Sequence, residues 1–172
     1  MSEIIVTQTI ETPIGPLLAA AGPDGVRLLE FNDSPRAQAQ LLRVCRRLRA
    51  DAQPGQSDIL GWLAAELGEY FNGQRRVFSV PLAPEGTAFQ QRVWQALHTI
   101  PYGHTITYAQ IAAQIGAPLA PRAVGAANGQ NPISILIPCH RLINSAGQLA
   151  GYGGGLWRKQ YLLDLEYHKA GW

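Results

Sequence analysis

The sequence predicts an α/β protein made of two compact units, with strands in the first and mainly helices in the second. The chain has 172 residues, of which 47% are hydrophobic and 15% charged, a composition typical of folded proteins. Apolar and polar residues alternate over residues 4–31, whereas helical periodicity dominates after residue 87. Proline and glycine cluster at residues 81–86 (PLAPEG), where the charge balance also changes. We therefore expect an N-terminal domain over residues 1–80 and a C-terminal domain over residues 87–172.

The first domain opens with the runs IIVTQTIE, LLAAAG and VRLLEFN, separated by turn sequences rich in proline and glycine. This pattern predicts a β-meander. Apolar positions three and four apart from Pro35 to Ala50 predict an amphipathic helix. A cap at Ser57 or Asp58 begins a second helix, DILGWLAAELGEYF, and the run RRVFSVPL (75–82) predicts a further strand.

In the second domain Thr87 is expected to cap the helix AFQQRVWQALHTI, and Thr107 the helix TYAQIAAQIG. The turn GAPLAP separates the latter from RAVGAANGQ, and this arrangement predicts a helix-turn-helix. The apolar run ISILIP predicts a buried strand or extended segment that ends at Cys139. A glycine-rich loop, GYGGG, and a final helix, LWRKQYLLDLEYH, complete the chain.

Charge and cysteine content limit the classes of function. Residues 1–85 carry 8 Lys/Arg and 10 Asp/Glu, whereas residues 86–172 carry 6 Lys/Arg and 2 Asp/Glu, so a polyanion is expected to bind the second half. No apolar stretch is long enough to span a bilayer and no signal peptide is apparent, which predicts a cytoplasmic protein without a membrane partner. The 2 cysteines have no zinc spacing and His98, His104 and His168 are isolated, so no metal site is expected.

The pair Cys139-His140 is the strongest candidate for chemistry. A free thiol has a pKa of about 8.5, so a nucleophilic cysteine needs a base or a positive field, and His140 is an adjacent imidazole. Neighbouring side chains on a strand project to opposite faces, so the pair works only if the chain turns or a water bridges it. Glu166, on the final helix, is a candidate to orient His140 as the third member of a triad. From the residues alone, a structural core cysteine and an exposed helical acid remain alternatives.

Other polar positions have two interpretations each. Arg122 opens the second helix of the helix-turn-helix, where it either contacts nucleic acid or is simply solvated. Asn131 precedes a proline and is typical of a turn. The glycines of residues 151–155 form a flexible loop that also permits close approach of backbone to a ligand.

The block IPCHRLI, preceded by RAVGAANGQNPISIL and followed by GQLAGYGGGLWRKQYLLDLE, resembles the O6-alkylguanine-DNA alkyltransferases. The resemblance is dense over residues 87–166 and weaker over residues 12–80. It implies an N-terminal ribonuclease-H-like α/β scaffold and a C-terminal, mainly helical, winged-helix-like domain with a helix-turn-helix. In this family the second helix lies in the minor groove and the damaged nucleotide rotates out into a pocket, because the alkylated oxygen is inaccessible inside the duplex.

The resemblance also implies roles for single residues. Cys139 matches the alkyl acceptor, His140 the base acting through a water, and Glu166 the residue that holds the histidine. Arg122 matches the arginine that fills the space left by the extruded base, and Asn131 the residue that braces the site. Tyr108 matches the tyrosine that helps to rotate the nucleotide and to protonate the departing guanine. The implied DNA-binding residues are Arg122, Tyr108, Ala123, Gly125 and Asn128. The implied pocket residues are Leu142, Tyr152, Gly153 and Gly154, together with the carbonyls of Cys139 and Leu142.

The implied activity is direct DNA repair, with irreversible transfer of the alkyl group from O6-alkylguanine in double-stranded DNA to Cys139. A thioether has no easily hydrolysed centre, so each molecule is expected to act once, as a monomer and without a cofactor. Repair of O4-alkylthymine, the range of alkyl groups and cooperative binding stay open. Two departures from many relatives are Leu165, where a histidine is common, and Gly153, where some carry serine. A non-catalytic lesion-binding protein and a cysteine hydrolase are the alternatives.

Overall fold

A computed structural model describes residues 2–149 and 151–171. The chain divides into two compact units, residues 1–85 and residues 86–172. Each unit has its own helices and strands.

The first unit contains a four-stranded sheet in the order β3-β2-β1-β4. The strands are β1 (Glu3–Ile10), β2 (Leu17–Gly22), β3 (Gly25–Phe31) and β4 (Ala50–Pro54). β1 pairs with β2 and β2 with β3 in antiparallel register, which confirms the predicted meander. β4 pairs with β1 in parallel and was not predicted, because the helical pattern was extended to Ala50. Arg49, at φ 52 in the left-handed region, ends the helix and starts the strand.

Two helices pack on this sheet, α1 (Arg36–Leu48) and α2 (Asp58–Phe71). The apolar side of α1 joins a buried cluster with strand residues; its members are Ile5, Leu18, Ala20, Leu28, Ala37, Leu41 and Val44. The Ser57 hydroxyl accepts a hydrogen bond from Leu60 N, so the predicted cap of α2 is confirmed.

The strand predicted over residues 75–82 is wrong. Its only sheet contact among the described residues is an isolated bridge between Val26 and Leu82. The buried carboxylate of Glu66 instead accepts the backbone N–H groups of Ser79 and Val80 and the Ser79 hydroxyl. Burial tends to raise the pKa of Glu66, but these hydrogen bonds and the charge of Arg75 outweigh it and lower the pKa. The alternation of residue types predicted backbone hydrogen bonds to a neighbouring strand. The Glu66 side chain accepts backbone hydrogen bonds from this segment instead.

The second unit is mainly helical. Its helices are α3 (Ala88–Leu97), α4 (Tyr108–Gln114), α5 (Pro121–Gly129) and α6 (Leu156–Lys169). Both predicted caps are confirmed, since Thr87 and Thr107 each form a capping box with a glutamine three residues later. Helices α4 and α5 form the predicted helix-turn-helix, and α3 supports it through a hydrogen bond from Trp94 Nε1 to the Ala127 carbonyl at 2.9 Å. A short parallel pair, β5 (Ile106–Thr107) and β6 (Leu142–Ile143), completes the unit.

The segment ISILIP is buried as expected, but it is neither a strand nor extended. It forms consecutive turns, with Ile137 N donating to the Ile133 carbonyl at 3.1 Å and Ile135 at φ 74. A left-handed β-branched residue is unfavourable in isolation, so this conformation depends on the surrounding contacts. In residues 2–149 and 151–171, no helix combines the length and the apolar composition needed to cross a membrane.

Candidate active site

Cys139 is the first residue of a 3-10 turn, Cys139–Arg141, that follows the buried turns. Its side chain is 6% exposed, and its backbone N–H donates to the Ile137 carbonyl at 2.7 Å. Successive residues of a 3-10 turn are rotated by about a third of a turn, instead of the half turn of a strand. The side chains of Cys139 and His140 therefore do not project to opposite faces, as they would on a strand.

His140 and Glu166 form a fully buried pair. His140 Nε2 lies 2.6 Å from Glu166 Oε2, and both residues are 0% exposed. Burial tends to raise the pKa of Glu166, but the charges and hydrogen bonds of His140 and Arg141 outweigh it and hold the pKa far below its usual value. An ionised carboxylate only accepts hydrogen bonds, so Nε2 carries the proton and donates.

This tautomer leaves the lone pair of a neutral imidazole on His140 Nδ1. Nδ1 is buried and has no hydrogen-bond partner within residues 2–149 and 151–171. The imidazole is therefore fixed on one side by Glu166 and retains a basic nitrogen on the other. This is the arrangement that a base next to a nucleophile requires.

Arg141 is a second partner of Glu166, and sequence reasoning missed it. Its Nε donates to Glu166 Oε1 at 2.7 Å and its Nη2 to Oε2 at 3.1 Å, while Nη1 donates to the Ile100 carbonyl at 2.8 Å. The guanidinium thus holds both carboxylate oxygens in a fixed plane. The available signal was chemical: a buried glutamate needs a cation, and Arg141 follows the Cys-His pair directly.

Lys159 is a second missed residue. It is 0% exposed, and its Nζ donates to the Leu142 carbonyl at 2.5 Å and to the Gly151 carbonyl at 3.4 Å. Burial lowers the pKa of Lys159, while the charge of Cys139 acts in the opposite direction, so the ammonium lies within electrostatic range of the sulfur. No sequence pattern predicts a buried lysine on an amphipathic helix, because lysine is usually exposed.

Tyr108 also lies within electrostatic range of the cysteine. Burial and the charge of Cys139 raise the pKa of the Tyr108 hydroxyl, which keeps it a proton donor. The Tyr108 ring packs on α5 at Gly125, where an added Cβ would lie 3.8 Å from two ring carbons. The structure therefore brings Tyr108, Cys139 and Lys159 into one neighbourhood.

The remaining residues of α5 divide by exposure. Arg122 and Ala123 are exposed at the start of the helix, and Gly125 is half-buried. Asn128 differs from them, because it is only 6% exposed and lies on the inner side of the helix.

Asn131 ties the buried turns together. Its Nδ2 donates to the Ile137 carbonyl at 2.8 Å, and its Oδ1 accepts from Ile133 N at 2.9 Å. Both partners lie in the segment that leads to Cys139, so Asn131 fixes the direction from which the chain enters the site.

The glycine-rich loop adjoins this site through Lys159. Tyr152 is half-buried, Gly153 is exposed, and the carbonyl of the buried Gly154 accepts from Arg158 Nη1 at 3.1 Å. Lys159 links the loop to Leu142 by binding both backbones. Among the described residues, no group of His, Cys, Asp and Glu side chains has the arrangement of a metal site.

Comparison with known proteins covers both units. Residues 5–84 match the ribonuclease-like domain of 6-O-methylguanine DNA methyltransferase, and residues 88–168 match its DNA binding domain. The methylated-DNA–protein-cysteine methyltransferase of Mycobacterium tuberculosis is 48% identical over 166 residues, which are 95% of this chain and 93% of the relative. That of Methanosarcina barkeri is 46% identical over 158 residues, 91% of this chain and 94% of the relative.

Solved structures agree with the sequence comparison. The crystal structure of Mycobacterium tuberculosis O6-methylguanine methyltransferase is 44% identical, with a TM-score of 0.80 over 96% of this chain and 94% of that chain. The structure of the mycobacterial OGT in complex with DNA has the same identity, coverage and TM-score. The predicted fold class, an α/β ribonuclease-like domain followed by a mainly helical domain, is confirmed. The chain belongs to the family of the O6-methylguanine-DNA methyltransferases, the methylated-DNA–protein-cysteine methyltransferases.

Proposed function

We propose that this protein repairs O6-alkylguanine in double-stranded DNA by transferring the alkyl group to Cys139 Sγ, once per molecule. The observation that carries the proposal is the buried Glu166–His140 pair, which leaves a basic imidazole nitrogen beside the nucleophilic turn. Membership of the methyltransferase family supplies the reaction class, and a relative has been solved in complex with DNA.

Activation begins with the thiol proton. His140 Nδ1 takes the proton from Cys139 through a bridging water, and Glu166 stabilises the imidazolium through the 2.6 Å hydrogen bond from Nε2. The Lys159 ammonium favours the thiolate because it is a nearby positive charge in a buried site. Arg141 keeps Glu166 ionised and oriented throughout.

Transfer is an in-line displacement at the alkyl carbon. The Sγ–C bond forms as the C–O6 bond breaks, and the electron pair of the broken bond moves onto the purine. The purine then takes a proton, either from the Tyr108 hydroxyl or from the imidazolium of His140, and leaves as guanine in DNA. The sulfur is now a thioether, which water does not cleave, so the protein does not regenerate.

DNA engagement is assigned to the exposed start of α5. Arg122 and Ala123 face solvent there and alanine adds little side-chain bulk, so the helix can approach a minor groove closely. Arg122 then occupies the space of the extruded nucleotide, and the pocket is formed by Tyr152, Gly153 and Gly154 with the backbone of residues 139–142. Asn128 is left out of this surface because it is buried.

The two domains have different tasks in this proposal. Residues 87–172 carry the DNA-binding helix, the nucleophile and its base, whereas residues 1–80 act as a scaffold. The protein acts as a monomer on alkylated duplex. A reduced thiol is required for the reaction, which fits a cytoplasmic location.

The test is to incubate the protein with a duplex that carries O6-methylguanine with a labelled methyl group. One equivalent of label should appear on the peptide containing Cys139, as read by mass spectrometry. Cys139→Ser should abolish transfer, whereas the control Cys45→Ser should leave it unchanged, because Cys45 lies on α1 in the first unit. Repair of many lesions per molecule would indicate a hydrolase, and lesion binding by wild-type protein without labelling would indicate a non-catalytic binding protein.

A further inference from the structure

Asn128 has a buried oxygen that the reaction described above does not use. The residue lies on α5 and is 6% exposed, and its Oδ1 has no hydrogen-bond partner within residues 2–149 and 151–171. A buried acceptor without a donor is destabilising and is rare in folded proteins. Such an atom points to a donor that belongs to a ligand.

Two observations connect Asn128 to the elements that surround Cys139. It follows Gly125 by three residues, so both lie on the face of α5 against which the Tyr108 ring packs. Tyr108 in turn interacts with the charge of Cys139. The Asn128 carbonyl also accepts from Asn131 N at 3.3 Å, at the start of the segment that delivers Cys139.

The part of the substrate nearest the sulfur follows from the reaction. The thiolate attacks the alkyl carbon on the side opposite O6, so the alkyl group lies between Sγ and the base. A methyl or propyl group has no hydrogen-bond donor. A 2-hydroxyethyl group has nearly the shape of propyl but ends in a hydroxyl, which donates.

We propose that Asn128 is a specificity-determining residue whose Oδ1 accepts a hydrogen bond from the hydroxyl of O6-hydroxyalkyl lesions. The protein is then selective for hydroxyalkyl over apolar alkyl groups of equal size. This inference rests on the proposed function, because it concerns the alkyl group that Cys139 receives. A neutral hydrogen bond formed to an otherwise unpaired acceptor corresponds to a rate advantage of roughly threefold to tenfold.

The experiment compares two duplexes that differ only in the terminal atom of the lesion, O6-(2-hydroxyethyl)guanine and O6-propylguanine. Single-turnover rate constants are measured for the wild type, Asn128→Leu and Asn128→Ala, and for Gln95→Leu as a control on the exposed side of α3. The readout is the ratio of the hydroxyethyl rate to the propyl rate. The intrinsic reactivities of the two alkyl groups cancel when this ratio is compared between proteins.

We expect the ratio to fall by about threefold to tenfold in both Asn128 variants and to stay at the wild-type value in Gln95→Leu. Transfer from O6-methylguanine, which has no donor on its alkyl group, measures any general damage, and the ratio corrects for it. A ratio equal in the wild type and in either folded Asn128 variant overturns the inference. If wild-type Cys139 gains no methyl group from O6-methylguanine, the proposed function fails first, so the two failures are distinguishable.

Discussion

Replacing Glu166 by glutamine separates the structural and chemical contributions of the buried carboxylate. Glutamine keeps the size of the side chain but removes its charge, which leaves the Arg141 guanidinium buried without a counter-ion. Both side chains are nearly inaccessible, at 9% and 0% exposure, so solvent does not screen the loss. Breaking a buried ion pair on one side typically costs about 3–5 kcal/mol, and we expect Glu166→Gln to lower the free energy of unfolding by about that amount.

Denaturant unfolding at pH 7 measures this change. The matched control is Glu69→Gln, because Glu69 accepts from Arg75 Nε at 2.9 Å but is 43% exposed. An exposed pair contributes about 0–1 kcal/mol, so the control should lose at most that. The double variant Arg141→Met with Glu166→Gln removes both charges. Its loss of unfolding free energy should therefore be smaller than the sum of the two single-variant losses, by about 2 kcal/mol or more.

Alkyl transfer by Glu166→Gln is the second measurement. A neutral amide does not stabilise the imidazolium of His140, so the single-turnover rate should fall by about 10²-fold or more. If Glu166→Gln unfolds at the same denaturant concentration as the wild type, the inference that Arg141 depends on this carboxylate is refuted. A normal transfer rate would refute the role of Glu166 in activating the base.

Three further predictions concern the same molecule. Asn131→Ala removes two buried hydrogen bonds and should lower the free energy of unfolding by about 2–4 kcal/mol, measured with denaturant; a loss under about 0.5 kcal/mol contradicts the bracing role. Lys159→Met should slow alkyl transfer by about tenfold and speed amide hydrogen exchange in residues 151–155, and unchanged exchange contradicts a link between lysine and loop. The pKa values of Glu66 and Glu166 are lowered by folding, so their stabilisation is complete above the unfolded pKa of about 4.3 and is lost as the pH falls towards the folded values. Unfolding curves between pH 7 and pH 3 should show this decline, and a flat profile contradicts it.

Helix starts were predictable because their signals are local. Ser57, Thr87 and Thr107 each precede an apolar periodic run, and each accepts a hydrogen bond from a backbone N–H three residues later. The donor and acceptor are separated by less than one helical turn of chain. No tertiary contact is needed to specify such a cap.

The wrong predictions of secondary structure arise where long-range contacts, and not local signals, decide the structure. Residues 75–82 alternate like a strand, but their backbone is held by Glu66, which lies on α2. β4 pairs with β1 across more than 40 residues of chain, and only the left-handed Arg49 separates it from the preceding helix. In both cases a distant element decides the local structure, and the short pattern contains no information about it.

Some residues of the candidate active site were predictable from the sequence and others were not. Cys139, His140 and Glu166 were identified because a specific motif resembles a known family, and the structure brings the last two together at 2.6 Å. Arg141 and Lys159 were missed because their importance comes from burial, and long cationic side chains are usually expected at the surface. Their partners include a carboxylate on α6 and the Leu142 carbonyl, which lie 25 and 17 residues away in sequence.

The turn before Cys139 explains how a nucleophile and its base can be neighbours in sequence. If the apolar run had continued as a strand, one of the two side chains would have pointed away from the pocket. The left-handed conformation of Ile135 and the two hydrogen bonds of Asn131 fold the run back on itself, so that Cys139 begins a 3-10 turn. Strain at a β-branched residue with positive φ, of order 1–3 kcal/mol, persists only because these contacts and complete burial oppose its release. The unfavourable backbone is therefore part of the active site, since it belongs to the buried turns that deliver Cys139 to the start of the 3-10 turn.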